Sequence, residues 1–165
     1  MSLKRTHKHL ASPQWIVRRA FPPAVLREIE SAIARSERDH QGELRFVVEA
    51  GLDLHALLRG QSARQRAIEV FSELRGWDTE HNSGILIYVQ LVDHKVEVLA
   101  DRGINARVPQ EQWSAVCRRM EQAFRRREFA AGAIEAIEET TALLRQHFPA
   151  TPGNINELPD RPVVL

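Results

Sequence analysis

Residues 84–103 read GILIYVQLVDHKVEVLADRG, and the fold turns on them. From Gly84 to Val92 the chain is apolar almost without interruption, which fits a central strand covered on both faces rather than a half-solvated one. Asp93-His94 supplies a tight reversal, and Lys95 to Ala100 return with rough alternation. The stretch therefore predicts a β-hairpin. With the reversal centred on Asp93-His94, give or take a residue of register, Asp101 falls opposite Leu86, Gly103 opposite Gly84 and Asn105 opposite Asn82.

Upstream of the hairpin, Leu44 to Ala50 predict another strand, closed by Gly51. Between the two strands lies a helix signal. Ser62 stands at a cap position with Gln65 three residues on, in the capping-box arrangement. Ala67, Ile68, Phe71 and Leu74 supply its buried face, and Gly76 is placed at its C-cap. An earlier helix opens at Phe21-Pro22-Pro23, where fixed φ and missing N–H groups cost little. Val25, Ile29, Ala32 and Ile33 make its apolar stripe, and Gly42 ends it. Downstream, Pro109 starts a helix with Trp113, Val116, Cys117, Met120 and Phe124 on one face. A last helix runs from about Phe129 to Phe148, with Ile134, Ile137, Thr141 and Leu144 stepping by three and four.

The order α, β, α, β-β, α, α contains one βαβ unit, expected to be right-handed and parallel. An antiparallel hairpin strand adds to it. The expected fold is α/β: a three-layer α/β/α sandwich around a central mixed sheet. Residues 1–20 read as a flexible N-terminal arm, 21–150 as the domain, and 151–165 as a Pro-rich tail too irregular for an element of its own. Leu158 and the Val163-Val164-Leu165 end are expected to dock on the body.

Composition narrows the classes. The chain has 165 residues, 43% apolar and 27% charged, with a net charge of +1. Such a balance gives no general field for nucleic acid or anionic membrane. A single cysteine, Cys117, excludes an intramolecular disulfide and a thiolate zinc cluster. The basic start is followed by no long apolar stretch, so it reads as neither signal peptide nor anchor. The run Ile85 to Val89 falls far short of the roughly 20 residues of a membrane span. The chain is expected to stay in the cytoplasm.

The hairpin gathers oxygen-bearing side chains at one end of the sheet: Asp78, Glu80, Asn82, Asp101 and Asn105. Hard cations, calcium or magnesium, take oxygen ligands in that kind of number. The competing reading is plain turn chemistry, because Asp, Asn and Gly at strand ends satisfy backbone groups and tolerate unusual φ. Gly84 and Gly103 are placed as structural turn residues under either reading. His81 is a loop histidine in the same region, and His7 with His9 lack a third ligand nearby. Cys117 lies on an apolar stripe and reads as a structural thiol. Arg118, Arg119, Arg125, Arg126 and Arg127 read as the solvated side of an amphipathic helix, more suited to a protein partner than to nucleic acid.

The run NSGILIYVQLVDHKVEVLADRGINARVP, with Trp113 after it, resembles the TPM domain family. The likeness rests on Asn82-Ser83-Gly84 entering an apolar strand, the charged turn Asp93-His94-Lys95, and a strand that ends in a Gly-containing segment. DRGINARVP and the later NELPD (156–160) resemble a shorter bacterial branch without the membrane helix of many relatives. The resemblance covers roughly residues 20 to 160 and implies an α/β/α sandwich. Phosphatase activity is assigned to the family's plant branch and divalent-cation binding to some members. Asn82, Gly84, Asp101 and Gly103 match the family pattern around the acidic end. The expected function is a divalent-cation-binding regulatory or interaction module serving a protein partner, with a membrane-associated one as a candidate; the alternative is a metal-dependent acid phosphatase using the same cluster. No nucleophile motif or Gly-rich phosphate loop supports the latter.

Overall fold

The computed structural model describes residues 14–152 and 156–165. Its elements follow the chain as α1 (Trp15–Ala20), α2 (Pro23–Ser36), β1 (Glu43–Glu49), α3 (Leu54–Leu58), α4 (Ala63–Glu73), β2 (Gly84–Gln90) and β3 (Lys95–Ala100). They continue as α5 (Arg102–Asn105), α6 (Gln110–Arg125), α7 (Phe129–His147) and β4 (Val163–Val164). β1 and β2 run parallel. β3 returns antiparallel against β2, and β4 lies parallel on the free side of β1. The sheet order is β3-β2-β1-β4.

Strand alternation divides the core. Leu44, Phe46, Val48, Ile85, Ile87, Val89, Val96 and Val98 share one large cluster with residues of α1, α2, α6 and α7. Val47, Leu86, Tyr88 and Leu99 face the other way and pack with Ala63, Ala67, Val70 and Phe71 of α4. Helices thus cover both faces, and the sheet is the middle layer of an α/β/α sandwich. Each fully buried large side chain, such as Phe46 or Ile87, contributes about 1.5–3 kcal/mol. Among the described residues, no helix is long and apolar enough to cross a membrane.

Local signals account for the helix boundaries. Pro23 occupies the first turn of α2, whose buried stripe is Ile29, Ala32, Ile33 and Ser36. Both halves of the Ser62/Gln65 capping box are present at the start of α4. Its end differs from expectation. Arg75, not Gly76, takes the left-handed conformation, with φ 56°. Gly76 N then donates to Phe71 O at 2.8 Å and Arg75 N to Ser72 O at 3.1 Å, the paired bonds of a Schellman ending. Glycine is needed at 76 for space: a Cβ there would lie 1.6 Å from Phe71 Cε2.

The hairpin register also corrects the sequence reading. The turn occupies Leu91 to His94, with His94 N donating to Leu91 O at 3.2 Å. It is centred one residue earlier than Asp93-His94. Ala100 therefore faces Ile85, and Asp101 N donates to Gly84 O at 2.9 Å. Asp101 sits opposite Gly84, not Leu86. Because the shift moves each pairing by two residues, every side chain keeps its face. Two segments read as arm and tail carry structure: Val17 of α1 is buried in the large cluster, and Val163 of β4 packs on the smaller one.

Candidate functional site

Asp101 ends β3 and caps α5, its Oδ1 accepting from Arg102 N at 2.6 Å. Its carboxylate is almost wholly buried, and Oδ2 has no hydrogen-bond partner. Arg102 Nε reaches back to Asn82 Oδ1 at 2.8 Å, while Asn105 Nδ2 donates to Ala100 O. Asn82 itself adopts φ 51°, a conformation asparagine tolerates better than most residues. Next to it, Ser83 Oγ is a second buried oxygen without a partner. Gly103 lets the two loops meet, since a Cβ there would stand 2.7 Å from the carbonyl oxygens of His81 and Asn82.

Of the expected cation ligands, Asn82, Asp101 and Asn105 are brought together around Arg102. Asp78 and Glu80 are exposed and are engaged elsewhere through their backbones: Asp78 N donates to Arg75 O, and Glu80 N to the Glu157 carboxylate at 3.1 Å. Asn82 Oδ1 already accepts from Arg102, while Asn105 is held in place by its Nδ2 bond to the backbone. Among the described residues, no group of three or more His, Cys, Asp or Glu side chains could hold a metal ion. The donor set does not fit a closed cage of carboxylates. One carboxylate oxygen, Asp101 Oδ2, is left without a partner there. His7 and His9 lie outside the described residues.

A second charged group at the sheet's edge was not foreseen. Glu43 and Arg45 are buried on β1, where Leu158 N donates to Glu43 Oε2 at 3.0 Å. Burial raises the Glu43 carboxyl above its ordinary range. Glu37, just past α2, is pushed up to about 9, chiefly by burial and further by the nearby Asp160 and Glu43, while its bond from Leu44 N opposes the shift. Asp160 accepts from Asn156 Nδ2 at 2.6 Å. The signal was available: charged residues inside a strand covered on both faces need a reason.

Two other constellations resemble catalytic ones and are structural. Ser36 Oγ lies 2.7 Å from His40 Nε2. Gly42 N donates to His40 Nδ1 at 3.1 Å, so Nε2 carries the proton and donates to the serine. That tautomer cannot act as the serine's base. Burial holds the imidazole down to about 4. Tyr88 donates to Glu49, whose carboxylate also takes Arg66 through Nε and Nη2. Cys117 is half-buried, and burial pushes its thiol up to about 11, far from a thiolate nucleophile at neutral pH. On the arginine face of α6, Arg119 pairs with Glu139 and Arg126 with Glu128.

Comparison with known proteins agrees with this architecture. The model of the TPM domain family matches residues 18–143. The NMR structure of the BA42 protein from the psychrophilic bacterium Bizionia argentinensis is similar, with a TM-score of 0.76 and 27% identity. That likeness covers 86% of this chain and 93% of the other. No curated protein matches.

Proposed function

This chain belongs to the TPM domain family, and from that premise we propose that it is a binding module whose Asp101 end responds to a divalent cation. The supporting observation is Asp101 Oδ2, a carboxylate oxygen buried without a partner. Leaving such an atom unsatisfied costs about 1–3 kcal/mol, and a cation admitted by local opening of the loops at 82–84 and 101–105 would offset that cost. Magnesium suits the site better than calcium, which takes 6–8 oxygens and asks for more carboxylates. Hydrolysis is the weaker reading, because no serine, cysteine or aspartate there is hydrogen-bonded to a base that could activate it.

Asp101→Asn provides the test, since asparagine caps helices as well as aspartate does and the fold should survive. Magnesium, then calcium, is titrated into metal-stripped protein while amide shifts are followed. The expected result is a saturable shift over residues 82–84 and 101–105, with Tm rising as free ion rises, and its loss in Asp101→Asn. No response at millimolar ion would overturn the cation reading. Turnover of p-nitrophenyl phosphate that disappears in Asp101→Asn would replace the binding module with a phosphatase.

A further inference from the structure

A groove of about 800 Å³ runs between α2 and the segment leading into β4. None of its lining residues belongs to the Asp101 cluster. One wall is a single face of α2: Pro23, Leu26, Arg27 and Glu30, spaced by three, one and three. The opposite wall is the strap from Pro159 to Val164, which includes Arg161. Arg45 of β1 closes it from within.

Arg45 is the unexplained residue. It is 5% exposed, and its Nε and Nη1 are buried with no hydrogen-bond partner. Guanidinium groups buried in this way are normally paired with a carboxylate or phosphate, often bidentately. The nearest acidic groups do not fill that role. Glu37 and Asp160 both attract the Arg45 guanidinium, but neither pairs with it directly: Asp160 Oδ1 accepts from Asn156 instead. Among the described residues, no ion pair of Arg45, Arg27 or Arg161 is formed. Three guanidinium groups line the groove against one lining carboxylate, Glu30, with Asp160 of the strap as a second negative charge nearby. Acidic side chains are absent from the first turn of α2, so the positive end of that helix is not offset there.

We propose that this groove binds an organic oxyanion, a carboxylate or phosphate monoester carried on an apolar body. The head group is taken by Arg45 together with Arg27 and Arg161. The body lies against Leu26, Val163 and the prolines of the strap. The strap lies outside residues 18–143, the span that the family model matches, so half of the groove is supplied by this chain's own C-terminal segment.

The test uses the full chain and three probes: inorganic phosphate, phenyl phosphate and benzoate. Arginine Nε–Hε resonances are followed by NMR at low salt, where the charge interaction is least screened. The expected result is a saturable shift at Arg45, Arg27 and Arg161. One of the organic probes should bind at least about tenfold more tightly than inorganic phosphate, and the tighter of the two identifies the head group. The double substitution Arg27→Ala/Arg161→Ala, at exposed positions that leave the fold intact, should weaken binding by about tenfold or more. No saturable response, or an affinity unchanged by the double substitution, would overturn the site. Equal affinity for inorganic phosphate would overturn the assignment of an apolar body.

Discussion

Glu37 shows how one buried carboxyl writes itself into the stability of the molecule. Its folded value of about 9 lies above the ordinary 4.5. Between those limits the folded chain holds a proton that the unfolded chain releases, so stability falls as pH rises. Glu37→Gln removes this dependence. The amide oxygen can still accept from Leu44 N, and the amide N–H can replace the acid proton toward Asp160. The variant should gain on the order of 1–3 kcal/mol at pH 8 and almost nothing at pH 4.5, read as Tm across that range. His40 acts with the opposite sign. Its folded value of about 4 lies below 6.5, so stability is lost as pH falls through that window. Ser36 Oγ passes the histidine's hydrogen bond to Thr141 Oγ1 at 2.6 Å, and Thr141 passes it on to Ile137 O at 2.7 Å. Thr141→Val cuts this chain and should cost about 1–3 kcal/mol. An unchanged Tm in either variant would mean that these groups are better solvated than their burial implies.

At the scale of elements, the long periodic pieces were legible and the short ones were not. α2, α4, α6 and α7 carry apolar stripes that sequence spacing exposes directly. α3, α5 and β4 are too short to show a period, and each is set by its neighbours. β4 exists because the free edge of β1 accepts it: Leu165 N donates to Val48 O at 3.0 Å. Leu158 N adds its bond to buried Glu43, and Leu158 is itself buried. The apolar residues 158 and 163–165 announced docking, but the proline content concealed its form as a strand, because prolines in an irregular segment mark turns without showing which edge the segment pairs with. A chain ending at Thr151 should therefore lose several kcal/mol, from hydrogen bonds at about 0.5–1.5 kcal/mol each and from re-exposed charge on β1. A thermal melt and its midpoint read this out. A midpoint within about 2 °C of the full chain would correspond to less than about 1 kcal/mol and would show the strap to be dispensable.

For the whole molecule, hydrophobic patterning specified the layers, while polar chemistry had to be seen in three dimensions. Residues 84–103 carried enough information for the sandwich and for the end of the sheet where Asp101 lies. They could not show that Asp78 and Glu80 face solvent, because loop side chains have no periodicity to fix their direction. Nor could they show that Arg45 and Glu43 are buried beneath a distant strap. The two faces of the sheet are also unequally covered. The large cluster ties β1, β2 and β3 to five helices, whereas α3 belongs only to a small separate group of Leu52, Ala56 and Leu57. Leu54 and Leu58 of α3 are exposed. Local opening costs least where little apolar surface is buried. In native-state hydrogen exchange, α3 amides should exchange first and with little denaturant dependence, α4 next, and β1 and β2 only with global unfolding. Exchange of α3 at the global rate would show instead that Asp53, which caps it by accepting from Ala56 N at 2.8 Å, and the Leu52 cluster lock this helix into the main cooperative unit.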